Sequence, residues 1–214
     1  MAEVAEVAEV AEVKGTVLKG RDGRLRLGWR LMAFLVIAML VALVVTSVLG
    51  PGIQSGSLAI LLGSLLAGWT VLALDGRRPG ALGFYLKPEA GREVAVGLGL
   101  GVVIALLVVG LMAAAGGLRW SAEPGSAGEW VVGGLSALLF LAIPAAAEEA
   151  LLRGYPLQAL AEAWGAPVAL LLTSVTFGLM HYGNPELTWL GMGNLVAAGL
   201  LLGAVYLRTG SLWW

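Results

Sequence analysis

Long apolar runs separated by short polar segments dominate the hydropathy pattern of this chain. A helix that crosses a bilayer needs about 20 mostly apolar residues, because lipid offers no hydrogen-bond partner to an exposed backbone. Six uncharged runs fit or approach that length: residues 31–49, 53–74, 94–118, 130–147, 165–180 and 187–207. The pattern predicts an all-α fold, a polytopic transmembrane helical bundle with six spans.

The fourth and fifth runs are the shortest and stop at the ionisable residues Glu148 and His181. Antiparallel helices that turn between Trp164 and Gly165 would place these two residues equally far from the turn, at roughly 25 Å each. A carboxylate and an imidazole at the same level could share one water molecule. Gly154 and Pro156 are expected to interrupt the first arm of this hairpin, which leaves the depth of the two residues open.

Composition supports the membrane assignment and excludes several classes of function. Hydrophobic residues make up 59% of the chain and charged residues 13%, against about 25% charged in soluble domains. The net charge of -1 argues against a nucleic-acid partner. With no cysteine and one histidine, the chain cannot build a disulfide framework, a thiolate zinc cluster or a site that needs two imidazoles.

Charge distribution predicts the orientation. Residues 1–29 form an expected cytoplasmic tail, opening with four Ala-Glu-Val repeats whose glutamates are unlike a cleaved leader. With that tail inside, Arg119 alone falls outside, and the other basic residues fall inside: Lys14, Lys19, Arg21, Arg24, Arg26, Arg30, Arg77, Arg78, Lys87, Arg92, Arg153 and Arg208. The N-terminus is therefore expected to be cytoplasmic.

Three ionisable side chains lie close together in the stretch from Pro144 to Pro156. One charge at the centre of a spanning helix costs about 2.5 to 3.5 kcal/mol, so such residues indicate function. Glu149 and Arg153 are four residues apart and can pair on one face. Glu148 is turned about 100° away from that pair, which makes it the candidate general base.

Other residues near this stretch leave two interpretations open. Phe177 precedes His181 by one helical turn, and the histidine is either a hydrogen-bonded interfacial residue or a functional one. Pro144 removes a hydrogen bond to the Phe140 carbonyl, either opening the helix near Glu148 or producing a simple packing kink.

Two pairs of small residues favour close helix packing: Gly97 with Gly101, and Gly199 with Gly203.

The Glu148-Glu149-xxx-Arg153 and Phe177-xxx-His181 motifs resemble the CPBP family of intramembrane proteases, which includes CAAX prenyl endopeptidases and bacteriocin-processing or self-immunity (Abi) proteins. The likeness extends over residues 130–214 and includes Asn184 after the histidine, Asn194 opening the next helix, and the sequence from Gly199 to Trp213. Residues 30–118, expected to form three N-terminal spans, match only in hydropathy and in the basic loop at residues 77–79.

The resemblance implies hydrolysis of peptide bonds in membrane-associated proteins, including prenylated CAAX-type proteins, at a prokaryotic plasma membrane. By this resemblance Glu148 and His181 activate water, Glu149 and Arg153 hold the first motif in shape, and Phe177 packs beside the histidine. The family pattern continues into another helix bearing a histidine and, four residues later, asparagine or aspartate. Because the sequence ends at Trp214, the resemblance predicts a catalytic core that is incomplete at its C-terminus.

Metal use and two further functions remain as alternatives. Glu148 and His181 supply two zinc ligands where a catalytic zinc usually has three from protein, so a mechanism without a cofactor is favoured and zinc is the alternative. A noncatalytic scaffold or self-immunity protein could keep the same residues. A proton-coupled transporter could use the two residues as a relay, although no internal repeat supports it. The expected partners are the lipid bilayer and a protein or peptide substrate.

Overall fold

The computed structural model describes residues 16–20, 22–122 and 124–214. Within these ranges the fold is all-α, as predicted, with one isolated bridge between Lys19 and Leu25. Seven α-helices follow in chain order: α1 (Leu27–Leu49), α2 (Ile53–Leu74), α3 (Ala90–Ala114), α4 (Ala127–Glu149), α5 (Tyr155–Trp164), α6 (Ala166–Met180) and α7 (Trp189–Thr209). The Ala-Glu-Val repeat lies outside the described residues.

Five helical segments are long and apolar enough to cross a membrane, and α6 is a shorter apolar helix. The six predicted spans therefore agree broadly with the structure. The fourth span differs most, because α4 continues through a π-helical turn, Ala150–Gly154, into α5. Gly154 and Pro156 bend the helix here and do not end it. Pro156 lies in the first turn of α5, where a missing backbone N–H is tolerated.

Pro144 leaves the Phe140 carbonyl without its partner in α4, and a neighbouring helix replaces the lost hydrogen bond. The Gln54 side chain near the start of α2 donates to the Phe140 oxygen from 2.7 Å. An unpaired carbonyl is costly where water is scarce. The hydrogen bond that replaces the one lost at Pro144 thus joins α4 to α2.

Small residues allow two close helix contacts. A Cβ atom at Gly63 of α2 would lie 2.5 Å from the Ala38 oxygen of α1, and one at Gly199 of α7 would lie 2.9 Å from the Ser174 Cα of α6. Gly203 approaches Leu170 in the same way, so the predicted packing role of Gly199 and Gly203 is confirmed.

The other predicted glycine pair does not form a helix contact. Gly97 of α3 lies against the backbone of Trp214, and Gly101 meets open space.

Five charged side chains gather at the end of the bundle where α1 begins and α2 and α5 end. We call this group the ionic cluster: Arg24, Arg30, Asp75, Arg77 and Glu162. Its separations range from 2.8 Å between Arg77 and Glu162 to 3.9 Å between Arg24 and Asp75. Asp75 also accepts a hydrogen bond from the Tyr155 hydroxyl at 3.1 Å. The cluster ties α1, α2 and α5 together.

The last residues of the chain fold against the loop that precedes α3. The Leu212 amide donates to the Gly83 oxygen at 3.0 Å, and Ser211 donates to Glu93 at 2.6 Å. Glu93 also accepts a hydrogen bond from Lys87, which raises the pKa of Lys87. This contact fixes the end of α7 beside the start of α3.

Candidate active site

Glu148 and His181 come together across the α4–α6 hairpin. Glu148 lies in the last turn of α4, and His181 follows the last residue of α6. Gly165 makes the turn between α5 and α6 with a φ of 84°, a left-handed conformation that suits glycine. Because both arms run equally far from this turn, the two side chains lie level, as the spacing predicts.

The separation within the Glu148–His181 pair suits a shared water better than a direct hydrogen bond. Glu148 Oε1 lies 3.7 Å from His181 Nε2, which is too long for a direct hydrogen bond. A contact of this length is the kind that water commonly bridges. The side chains of Glu148 and His181 are 36% and 19% exposed, so a small molecule can reach the pair.

The backbone of α6 selects the form of the histidine. The His181 amide donates to the Gly178 oxygen at 3.0 Å, which tightens the last turn of the helix. His181 Nδ1 lies 2.8 Å from the Phe177 carbonyl, to which it donates. A neutral imidazole that carries its proton on Nδ1 has a lone pair on Nε2. In the neutral form of His181, the nitrogen that faces Glu148 is therefore a hydrogen-bond acceptor.

A second set of contacts links the first motif to the imidazole ring of His181. Glu149 Oε1 lies 3.1 Å from Arg153 Nη1, which confirms the predicted pairing on one face. The buried Arg153 guanidinium lies 4.5 Å from the centre of the Phe177 ring. That ring in turn lies 4.8 Å from the imidazole of His181. Glu149, Arg153 and Phe177 thus form a continuous line of contacts that ends at the histidine.

The π-helical turn carries Arg153 into this line and is held by Gln158, a residue that the sequence reasoning missed. Gln158 Nε2 lies 2.9 Å from the Gly154 oxygen and 2.5 Å from the Tyr206 hydroxyl. Its own oxygen accepts from Arg77 at 2.8 Å. π-Helical turns inside α-helices often occur at functional sites. The spacing of Gln158 four residues after Gly154 is the only signal in the sequence for this contact.

The two predicted asparagines are not joined to the pair. The Asn184 amide donates to the His181 oxygen at 2.9 Å, but its side chain is exposed. Asn194 is exposed in the second turn of α7, so it does not open that helix. Within the described residues, neither asparagine side chain hydrogen-bonds to Glu148 or His181.

The residues of the site fit a metal ion poorly. Across the described ranges, no three side chains of histidine, cysteine, aspartate or glutamate are arranged to hold a metal. Glu148 and His181 would contribute only two ligands, one fewer than catalytic zinc usually takes from protein.

Comparison with known proteins identifies the class to which this site belongs. Residues 130–214 match the family model of Type II CAAX prenyl endopeptidase Rce1-like proteins. The matched segment contains α4 from its fourth residue, α5 to α7 and the candidate residues Glu148, Glu149, Arg153, Phe177, His181, Asn184 and Asn194. This part of the chain is therefore similar to that endopeptidase family, which agrees with the resemblance seen in the two motifs. The apolar helices and this match together indicate a multi-pass membrane protein that contains a segment similar to a protease family.

Neither the curated proteins nor the solved structures contain a match to this chain.

Proposed function

We propose that this protein is an intramembrane endopeptidase that hydrolyses membrane-associated proteins with a water held between Glu148 and His181. The observation that carries the proposal is the 3.7 Å separation of these two side chains, with His181 Nδ1 held by the Phe177 carbonyl so that Nε2 faces the carboxylate. Similarity of the matched segment to an endopeptidase family supports the same reaction. Glu149, Arg153 and Phe177 act as positioning residues, and Asn184 and Asn194 border the site.

In this mechanism the water donates one hydrogen bond to Glu148 and one to His181 Nε2. Glu148 removes a proton as the water oxygen bonds to the carbonyl carbon of the peptide. The carbon–nitrogen bond then breaks, and the proton passes from Glu148 to the leaving amine. The second proton of the water stays on the new carboxyl group, so the products are a carboxylic acid and an amine, and atoms and charges balance. General acid–base catalysis of this kind contributes about 10²- to 10⁴-fold to a rate.

The substrates we propose are lipid-associated protein termini, including prenylated CAAX-type termini. The matched family comprises prenyl endopeptidases. Glu148 lies on a helical segment long and apolar enough to span a membrane, and His181 follows the shorter apolar helix α6. A lipid anchor would hold a substrate segment at the level of the helices and raise its local concentration there.

The remaining parts of the proposal concern the environment of the enzyme. The reaction uses no metal, because among the described residues only Glu148 and His181 would hold it. The protein lies in a prokaryotic plasma membrane with its N-terminus on the cytoplasmic side, an orientation that the distribution of arginine and lysine supports. The bilayer and the substrate protein are its partners, and no nucleic acid is involved.

The test is cleavage of a prenylated peptide that carries a fluorescent C-terminal group, with the protein reconstituted in liposomes. Glu148→Gln keeps the shape of the side chain but removes its basicity, so the rate should fall at least 100-fold. His181→Gln should give a loss of similar size. The matched control is Glu89→Gln, because Glu89 is exposed at the start of α3, away from the hairpin.

Three outcomes would contradict the proposal. Equal rates for Glu148→Gln and Glu89→Gln would remove Glu148 from the reaction. Absence of cleavage by the unmodified protein would favour a noncatalytic scaffold or self-immunity role. Proton uptake without peptide cleavage would favour a transporter. Retained cleavage after exhaustive dialysis against a chelator is the expected result, and its loss would restore the zinc alternative.

A further inference from the structure

A polar pocket of about 290 Å³ lies at the ionic-cluster end of the bundle, apart from the Glu148–His181 pair. It is lined by Gly20, Asp22 and residues 24–26, by the first turn of α1 and by residues near the end of α5. Two exposed tryptophans flank it in sequence, Trp29 in α1 and Trp164 at the end of α5. Tryptophan is enriched where the apolar core of a membrane meets the headgroups. The pocket therefore lies at headgroup level.

Among the described residues, the charged side chains that line this pocket leave one positive charge in excess. Arg24, Arg26 and Arg30 line it together with the carboxylates of Asp22 and Glu162. Behind them Asp75 and Arg77 balance one another within the ionic cluster. A single phosphodiester would neutralise the excess.

Two arginines of the pocket have donors to offer an anion. Arg30 is 6% exposed, and its Nε makes no hydrogen bond within the described part of the chain. Arg26 is exposed and makes no salt bridge to any described residue, unlike Arg24 and Arg30. Arginine binds phosphate oxygens strongly because its planar donors match their geometry.

An apolar cavity of about 240 Å³ continues from this pocket along the same two helices. The polar pocket uses Leu27 and Arg30 of α1, and the apolar cavity uses Leu31, Phe34 and Leu35, which follow directly. On α5, Pro156 and Leu160 line the cavity while Ala159 and Glu162 line the pocket, so neighbouring residues of this helix also line both. A polar site therefore leads into an apolar one along the α1–α5 seam.

The apolar cavity is reached from the membrane. Leu35, Leu172 and Met180 on its rim are 57%, 40% and 46% exposed. An acyl chain could enter sideways from the bilayer, whereas a water-soluble anion has no use for such a cavity.

We propose that the α1–α5 seam binds a glycerophospholipid that carries one net negative charge, with its phosphodiester at Arg26 and Arg30 and one acyl chain in the apolar cavity. Basic pockets between membrane helices commonly hold anionic lipid headgroups. The two adjoining cavities, one polar with a single excess positive charge and one apolar, match the two parts of such a lipid. This proposal does not depend on the proposed protease activity.

The experiment measures lipid retention by native mass spectrometry, with the full chain released from micelles that contain phosphatidylglycerol. One bound phosphatidylglycerol is expected to survive release. Arg26→Gln removes one charged donor from an exposed position that the fold does not need, so the affinity should fall about tenfold. Leu35→Trp fills the cavity from its exposed rim and should weaken binding without changing any charge. Arg92→Gln is the matched control, because Arg92 is an exposed arginine of α3 outside the pocket.

Competing ligands separate the headgroup from the acyl chain. Diacylglycerol offers the chains without the phosphodiester, and inorganic phosphate offers the anion without chains, so neither should displace phosphatidylglycerol at equal concentration. Displacement by phosphate would identify a soluble-anion site and overturn the lipid assignment. Equal retention by Arg26→Gln and Arg92→Gln would overturn the headgroup assignment. Unchanged retention by Leu35→Trp would overturn the acyl-chain assignment.

Discussion

The ionic cluster and the Glu148–His181 pair use charged residues on membrane helices in opposite ways. In the ionic cluster each carboxylate faces at least two arginines within 4 Å, and the Asp75 side chain is only 2% exposed. The Glu148–His181 pair is a single, longer contact whose carboxylate is 36% exposed. Saturated contacts suit a structural role, because removing one partner leaves a buried charge. An unsaturated pair suits chemistry, because water can enter.

The largest expected effect is a loss of peptide cleavage without a loss of stability, at the Glu148–His181 pair. Glu148→Gln should lower peptide cleavage about 10²- to 10⁴-fold while the melting temperature in detergent stays within a few degrees of the unmodified protein. Melting is followed by circular dichroism on the same samples that are assayed. A large drop in melting temperature would show that Glu148 holds the fold, and the comparison with the ionic cluster would fail.

At the ionic cluster we expect a substitution to lower the stability of the fold. Asp75→Leu removes the carboxylate that Arg30 and Tyr155 contact, at 3.4 and 3.1 Å. Breaking a buried ion pair costs about 3 to 5 kcal/mol. Because Arg30 keeps Glu162 as a partner, the free energy of unfolding, measured with denaturant in micelles, should fall by an amount near the lower end of that range. Asp22→Leu is the control for loss of an exposed carboxylate in the same region. Equal stability of the two variants would contradict a structural role for Asp75.

A smaller effect is expected where α6 meets α7 beside the site. Gly199→Ala places a methyl group 2.9 Å from the Ser174 Cα, a backbone atom that cannot move alone. Overpacking costs about 1 to 3 kcal/mol, offset by about 1 kcal/mol from the better helix propensity of alanine. Gly193→Ala in the same helix meets open space and should stabilise the fold slightly. If both variants melt at the same temperature, α7 does not approach α6 this closely.

The smallest effect tests the hydrogen bond that replaces the one lost at Pro144. Gln54→Leu should cost about 0.6 to 1.7 kcal/mol, the range found for hydrogen bonds between membrane helices. In a Pro144→Ala background, the new backbone N–H can serve the Phe140 carbonyl, so Gln54→Leu should cost much less. The double-mutant cycle on the four proteins measures this coupling. Additive effects of the two substitutions would show that the contact between Gln54 and Phe140 contributes nothing.

Local spacing accounts for the part of the site that the sequence predicted. Glu149 and Arg153 pair because four residues span one helical turn, and Phe177 meets His181 for the same reason. Glu148 meets His181 because a short turn at Gly165 joins two arms of equal length. The predicted catalytic roles of these residues stay predictions until cleavage is measured.

Contacts between residues that are far apart in the sequence were not predictable. The ionic cluster connects Arg24 to Glu162, and the Phe140 carbonyl finds Gln54. Gln158 holds the π-helical turn through Tyr206, 48 residues further along the chain. No periodic pattern encodes these contacts, since each depends on how two helices are rotated against one another.

The sequence by itself determined the number and approximate ends of the apolar helices, the hairpin that sets Glu148 level with His181, and the family that residues 130–214 resemble. Tertiary structure alone decided which faces of the helices meet, how Arg153 lies over Phe177, and which tautomer of His181 faces the carboxylate. The physical reason is that a membrane helix is apolar on nearly every side, so its sequence carries little information about which side packs inward. Close contacts at small residues and a few buried polar side chains make that choice.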